Sequence, residues 1–481
     1  MPNDSFQKKI IKTNVNGLDE ILGGGLIRGS LYLIEGPPGS GKTILGNQII
    51  FILANEKEPA AFITLLAESH GKMLAHIGEM IYFDECKVGT DISFYGAYHI
   101  LEEGKLPALR KYLIDLIHDQ DLKFMVIDGF KIVNFFSSGE MECASFIHEL
   151  SALASATGCT IIILNQGTES IKPTSLEALV DGIIELKLVN TGLRTIREIQ
   201  IHKMRGLSQN KGKHIFKITT DGVRIFTRTE SRKVESFLLN SSIENLKFGV
   251  KYLDEMINGG LKVGSTTSLV GPPGSGKTIL GLKFLEEGLK RGETCVYFGF
   301  YEEPDRLVKK AAGIGLDLTP YLKNQKLTML WYAPTENLID EISEILINHI
   351  SGHKASRVLI DGIDGMKMSE AYPERLSKYM AAFSILLRHS GATTVFTEET
   401  SFNFESTNKL GEHSALLENI ISLRYVEVLS KLHRILTIMK VSESEYDSSL
   451  REFSISYQGI TVNQNSFSAD EFLEQKNTGT I

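Results

Sequence analysis

Cysteine, tryptophan, long apolar runs and basic excess are all scarce in this chain. The four cysteines (Cys86, Cys143, Cys159 and Cys295) lie far apart and lack metal-ligand spacing. They read as reduced core or surface thiols, which excludes a disulfide frame. The longest apolar runs, such as Ile161 to Leu164, are strand-length, so no bilayer-spanning helix and no membrane role are expected. The opening residues MPNDSFQKKIIK hold no apolar signal core, and the expected compartment is therefore cytoplasmic. With 51 Lys and Arg against 59 Asp and Glu, the net charge is −8. No global attraction to nucleic acid or an anionic membrane follows from that balance. What is present is ordinary for a globular protein, at 42% hydrophobic and 23% charged residues. A chain of 481 residues exceeds what one core supports, and the size prior is two to four domains.

One run occurs twice. GPPGSGKTILG stands at Gly36 to Gly46 and again at Gly271 to Gly281. Gly36, Pro37, Pro38, Gly39, Ser40, Gly41, Lys42 and Thr43 fit G-x-x-x-x-G-K-[ST], as do Gly271, Pro272, Pro273, Gly274, Ser275, Gly276, Lys277 and Thr278. Each copy follows an apolar run, Leu31 to Ile34 or Thr266 to Val270, which supplies the strand–loop–helix context that a phosphate-cradling P-loop needs. The glycines let successive N–H groups turn inward as an anion nest, and the following helix points its positive end at the phosphates. Lys42 and Lys277 are placed to reach β/γ-phosphates, and Thr43 and Thr278 to ligate Mg²⁺.

The similarity extends upstream. NGLDEILGGGLIRGS (Asn16 to Ser30) matches KYLDEMINGGLKVGS (Lys251 to Ser265) without a gap. This is a duplicated domain, with a boundary in the polar stretch from Glu230 to Ser241. The expected units are 1–235 and 236–461, with a short flexible tail over 462–481. Within each half, short apolar strands alternate with helical spacing: Ala60 to Leu66, Lys105 to Asp119, Phe124 to Ile127, Met141 to Thr157 and Thr160 to Leu164 in the first. The second repeats this with Thr294 to Phe300, Glu336 to Ser351, Val358 to Ile360, Glu374 to Ser390 and Thr393 to Thr397. Such alternation predicts an α/β fold, a mainly parallel sheet flanked by helices. Gly182 to Leu188 with Thr195 to Lys203, and Ile420 to Val426 with Arg434 to Val441, read as hairpins that extend it.

Hydrolysis needs more than a cradle. Asp128 and Asp361 end apolar strands as FMVID and RVLID, where an aspartate faces the crevice of the P-loop and can hold Mg²⁺ through water. The plainer alternative is that each caps the next helix. Glu302 and Glu303 follow the preceding strand in the second half, and Glu68 follows it in the first. A carboxylate there can orient or deprotonate the nucleophile, or it can be a solvated loop charge.

Taken together, the tandem GPPGSGKT loops, NGLDEILGGG, YEEP, HKMRG (His202 to Gly206), LRYVEV (Leu423 to Val428) and REFSIS (Arg451 to Ser456) resemble the KaiC family over essentially the whole length. The resemblance implies two tandem RecA-like P-loop ATPase domains, ATP and Mg²⁺ as cofactors, and a homohexameric double ring with nucleotide at each subunit interface. It further implies that Lys203, Met204 and Arg205 reach the neighbour's first-domain site, with Arg205 as the cation on the γ-phosphate, and that Lys440 does likewise in the second. Departures accompany it. Ser442 stands where the family has arginine, Ala67 replaces the first of its paired glutamates, and its Ser–Thr autophosphorylation pair falls on Ser414 and Ala415. Ser414 is thus the one phosphosite to consider, against the alternative of a polar loop residue. The segment after Phe453 is short and unlike the family's tail, which argues against a KaiA-dependent oscillator.

The sequence is therefore read as an ATPase acting in regulation, with weak serine autokinase activity as an extension. Two alternatives stay open. A RecA/RadA-like DNA-dependent ATPase shares the core, but the acidic balance and the lack of a basic, Gly-rich DNA loop count against DNA. A nucleotide-gated scaffold for a KaiB-like regulator is the other.

Overall fold

The chain divides into two compact units, Met1–Ser231 and Arg232–Ile481. Its computed structural model describes residues 9–54, 58–66, 70–167, 178–232, 245–334, 337–400, 417–428, 431–442 and 444–466. In the first unit a short antiparallel pair, β1 (Ile10–Ile11) and β2 (Leu26–Ile27), precedes a nine-stranded sheet. That sheet comprises β3 (Leu31–Gly36), β4 (Ala60–Thr64), β5 (Ile92–Gly96), β6 (Phe124–Asp128), β7 (Thr160–Gln166), β8 (Gly182–Thr191), β9 (Arg194–Met204), β10 (Lys213–Thr219) and β11 (Gly222–Phe226). Their spatial order is β5-β4-β6-β7-β3-β8-β9-β10-β11. The strands from β5 to β8 are parallel, and β8 to β11 continue as an antiparallel meander.

The parallel strands read as unbroken apolar runs because both faces are covered. Along β7, Ile162 and Leu164 enter the core under helix Lys42–Ala54, while Ile161 and Ile163 enter the core under helices Tyr98–Asp119 and Glu140–Thr157. Helix Lys42–Ala54 is buried nearly all round. Gln48, on its inner side, accepts from Val223 N at 2.7 Å and donates to Val223 O at 3.3 Å. Its amide thereby satisfies the backbone of edge strand β11, where a buried polar group without partners costs a few kcal/mol.

The second unit repeats the plan. A pair, β12 (Asn245–Leu246) and β13 (Leu261–Lys262), precedes β14 (Thr266–Gly271), β15 (Cys295–Gly299), β16 (Leu327–Trp331), β17 (Arg357–Asp361), β18 (Thr393–Glu399), β19 (Asn419–Val428), β20 (Lys431–Val441), β21 (Arg451–Ser456) and β22 (Gly459–Ser466). The order β16-β15-β17-β18-β14-β19-β20-β21-β22 matches the first sheet strand for strand. In both units the cradle leaves the carboxyl end of the central strand, between neighbours whose connections run to opposite sides, the usual ligand crevice of such sheets.

Three details depart from the sequence reading. The helix expected from Lys105 begins at Tyr98 and breaks at Lys105, which has φ 52°. Pro107 explains this, since proline lacks an N–H and restricts the residue before it. Strands β5 and β16 at the sheet edges, and helices His70–Ile77 and Pro304–Ala312, have no counterpart in that reading. β22 runs on through Asn463 to Ser466, beyond the Val462 boundary drawn for a loose tail. An edge strand needs backbone pairing rather than apolar side chains. Among the described residues, no helix is long and apolar enough to cross a membrane.

Candidate functional site

Each cradle is shaped by glycines that no other residue can replace without strain. Gly41 has φ 102°, and a Cβ there would lie 2.6 Å from Ile218 Cδ1 on β10. Gly276 has φ 105°, and its Cβ would meet Ile455 and Phe453 on β21 at 2.7 Å. The antiparallel extension of each sheet thus presses directly on the loop. Lys42 Nζ donates to Gly36 O at 2.8 Å and Pro37 O at 2.9 Å. Lys277 Nζ does the same to Gly271 O and Pro272 O, at 2.8 and 2.9 Å. Burial pushes both ammonium groups below their ordinary range, opposed by nearby carboxylates. A partly desolvated cation held over main-chain carbonyls is primed to take an anion. Ser40 and Ser275 are fully buried, and each Oγ lacks a hydrogen-bond partner. Unused buried hydroxyls inside a loop of inward N–H groups fit a phosphate cradle.

The strand-end aspartates meet these loops. Thr43 Oγ1 donates to Asp128 Oδ2 at 2.9 Å, and Thr278 Oγ1 donates to Asp361 Oδ1 at 2.9 Å. A hydroxyl beside a carboxylate suits Mg²⁺, a hard cation that completes its shell with water and phosphate oxygens. Among the described residues, no group of three or more His, Cys, Asp or Glu could hold a metal.

Around these aspartates the two units diverge. Gly129 N donates to Asp128 Oδ1 at 2.7 Å. Asp361 instead accepts from Thr397 Oγ1 at 2.7 Å and from Tyr297 OH at 3.2 Å, while Thr397 Oγ1 accepts from Gly362 N at 2.7 Å. Strand register shows what replaces them in the first unit. Tyr297 pairs with Leu359 as Phe62 pairs with Val126, and Thr397 pairs with Leu269 as Leu164 pairs with Ile34. Burial, and then the Asp361 charge, push the Tyr297 phenol far up, so it remains a donor.

Glu302 and Glu303 follow β15, whose last residue Gly299 pairs with Asp361. Glu302 Oε2 accepts from Lys310 Nζ at 2.9 Å, and Glu303 immediately precedes helix Pro304–Ala312. Glu68 and Ser414 lie outside the described residues. Lys203 Nζ donates to Ala178 O at 3.1 Å, and Arg205 bonds Asp181 Oδ1 at 3.3 Å and Ala178 O at 3.1 Å. Arg205 is 58% exposed, whereas the side chain of Met204 is buried in its own unit's core. In the second unit, Lys440 Nζ donates to Leu417 O at 2.6 Å and Ser442 Oγ to Glu418 O at 2.7 Å. The sequence reading missed Tyr297, Thr397 and Lys310, and also His202. That imidazole bonds Glu185 at 2.7 Å, which raises its pKa. Tyr297 stands between Val296 and Phe298 and reads as core aromatic; only the strand-end aspartate on the neighbouring strand gives it away.

Two P-loop sites with the same loop hydrogen bonds therefore sit on two repeats of one sheet order. A family model described as the ATPase KaiC matches the chain twice, over residues 11–230 and 246–466. The circadian clock oscillator protein KaiC of Rippkaea orientalis is 28% identical over 480 residues, covering 95% of this chain and 89% of that protein. KaiC 1 of Synechocystis sp., also described as a circadian clock oscillator protein, is 27% identical over 485 residues, covering 96% and 90%. With one match in each unit and relatives aligned over 95–96% of this chain, the chain belongs to the KaiC family of ATPases.

Proposed function

We propose that this protein binds ATP with Mg²⁺ at both cradles, hydrolyses it, and works as a homohexameric double ring in regulation. The observation that carries the reading is the matched pairing of each P-loop hydroxyl with a strand-end aspartate, Thr43 with Asp128 and Thr278 with Asp361, both at 2.9 Å. Mg²⁺, when bound, neutralises charge on the transferred phosphoryl group. Lys42 and Lys277 exchange their own loop carbonyls for phosphate oxygens, and the loop N–H groups hold the remaining charge. Thr43 and Thr278 would ligate the metal, and Asp128 and Asp361 would hold its water. Glu302 and Glu303 in the second unit, and Glu68 in the first, orient the nucleophile.

The two sites have different work. In the ring, Lys203 and Arg205 reach the neighbour's first site, and Arg205 leaves Asp181 to stabilise the γ-phosphate, an effect worth several orders of magnitude in rate. Ser442 is neutral and cannot do this at the second site. The first ring therefore turns ATP over slowly, while the second holds ATP and supports assembly, with Ser414 as the phosphoacceptor of a weak autokinase. Lys42→Ala is expected to abolish most ATP hydrolysis, and Lys277→Ala chiefly to weaken the hexamer seen by light scattering. Equal losses of turnover from both refute the division of labour. Phosphate mapping after incubation with ATP that finds nothing at Ser414 removes the autokinase.

A further inference from the structure

Because the two units share one register, each serves as the other's control. On the strand beside each cradle, Gly36 pairs with Gln166, but Gly271 pairs with Glu399. Thr400 N donates to Gly271 O at 3.1 Å, which holds this carboxylate-bearing strand end against the start of the second loop. Three residues past the strand-end aspartate, the first unit has Lys131 and the second has Asp364. Asp364 Oδ2 accepts from Glu399 N at 2.9 Å, which ties the Asp364 carboxylate to the strand end that bears Glu399. Lys367 lies between Asp364 (3.1 Å) and Glu398 (2.6 Å) and compensates one of the three carboxylates. At these aligned positions the second unit therefore carries a net of two negative charges, where the first has Lys131.

The first unit has carboxylates of its own nearby, Glu35 and Glu185, where the second has Val270 and Ser422. They face another group: Glu185 is held by Lys187 at 2.8 Å and His202 at 2.7 Å, and Glu35 acts on that same imidazole. Asp128 is the carboxylate that acts on Lys42, whereas Glu399, Asp361 and Asp364 all act on Lys277.

We infer that the second cradle selects its nucleotide by charge, favouring a nucleoside diphosphate over the triphosphate more than the first cradle does, with Glu399 and Asp364 as the specificity-determining residues. The inference rests on the nucleotide reading of both cradles. The γ-phosphate adds negative charge to the ligand, and each carboxylate near the loop opposes it. Two such charges in a solvated cleft are worth on the order of a tenfold change in relative affinity. Glutamine at the first site's Gln166 position imposes no such penalty.

The experiment titrates fluorescent ATP and ADP analogues, with Mg²⁺, into the full chain carrying either Lys42→Ala or Lys277→Ala, so that one cradle is read at a time. The ATP-to-ADP affinity ratio is expected to be about tenfold lower at the second cradle than at the first. Arg205 can also favour ATP at the first site, so Glu399→Gln, alone and with Asp364→Asn, is added to the Lys42→Ala chain. These substitutions are expected to raise the second cradle's ATP-to-ADP ratio severalfold, because ATP, with the extra charge, gains more than ADP. Equal ratios at the two cradles, or a gap that survives both substitutions, overturn charge selection. Binding of neither nucleotide at either cradle instead overturns the nucleotide reading itself.

Discussion

Arg357→Ala probes how the second unit carries its aspartate. Arg357 opens β17, the strand that ends in Asp361, and it is fully buried. Its guanidinium forks onto Glu293 at 2.7 and 3.0 Å, donates to Lys247 O at 2.7 Å and Phe284 O at 2.9 Å, and lies 4.6 Å from the Phe284 ring centroid. Alanine removes all of these donors at once and leaves Glu293 without its partner. One-sided loss of a buried ion pair costs about 3–5 kcal/mol. Because the Glu293 side chain is 19% exposed, water recovers part of that cost, and about 3 kcal/mol is expected. For a unit of this size, that corresponds to a fall of roughly 6–12 °C in the melting of the second unit. Arg357→Lys keeps the charge but loses the fork and the stacking, so it should fall between alanine and wild type. Thermal and urea unfolding of the full chain, followed by circular dichroism, reads both variants. An Arg357→Ala cost under about 1 kcal/mol, or an Arg357→Lys variant as stable as wild type, refutes the view that this fork anchors the strand.

Gly41→Ala and Gly276→Ala should each weaken nucleotide binding at their own cradle by tenfold or more, since left-handed backbone and a Cβ contact near 2.6–2.7 Å both force the loop to move. Titration with a fluorescent nucleotide checks this, and unchanged affinity counts against a rigid cradle. Asp254 accepts from Phe248 N at 2.7 Å and Gly249 N at 3.1 Å, yet burial pushes its carboxyl up to about 6. The stability from its raised folded pKa is full below the unfolded value and is lost as pH rises through about 6. From pH 7 to pH 5 the wild type should therefore gain about 1 kcal/mol relative to Asp254→Asn; parallel pH profiles in urea unfolding contradict it.

What can be read from the chain alone is what the backbone demands. Both loops, the strands before them and the aspartates at β6 and β17 announce themselves, because glycine spacing and apolar runs ending in a charge are local signals. The break at Lys105 was also within reach, since Pro107 stands two residues on. Met204 shows a local signal left unused. Residues alternate across a strand, so in Lys203-Met204-Arg205 the middle side chain points opposite to its neighbours, and it enters the core. Other features have no local signal at all. Lys310 meets Glu302 only because a helix turns back over the loop. Thr397 reaches Asp361 across two strands that lie far apart in sequence.

The same distinction separates the two sites. Duplication has kept what the main chain builds: the turn, the lysine folded on two carbonyls, and a threonine hydroxyl 2.9 Å from a carboxylate. It has not kept the side chains that hold the carboxylate. An ionised carboxylate offers about four acceptor positions, and at Asp361 the hydroxyls of Thr278, Thr397 and Tyr297 take three of them. Phe62 and Leu164 offer no hydroxyl at the matching places in the first unit. Asp361 therefore has little spare acceptor capacity, and on the proposed function a change in the water shell of a bound metal would work against three placed donors. Turnover requires that shell to rearrange between triphosphate, transition state and product. On the proposed function, a clamped aspartate suits the cradle assigned to holding nucleotide, and the inferred effect of Glu399 and Asp364 acts beside the same loop. On the proposed division of labour, the first cradle, without counterparts to the Thr397 and Tyr297 hydroxyls, is the one assigned repeated hydrolysis.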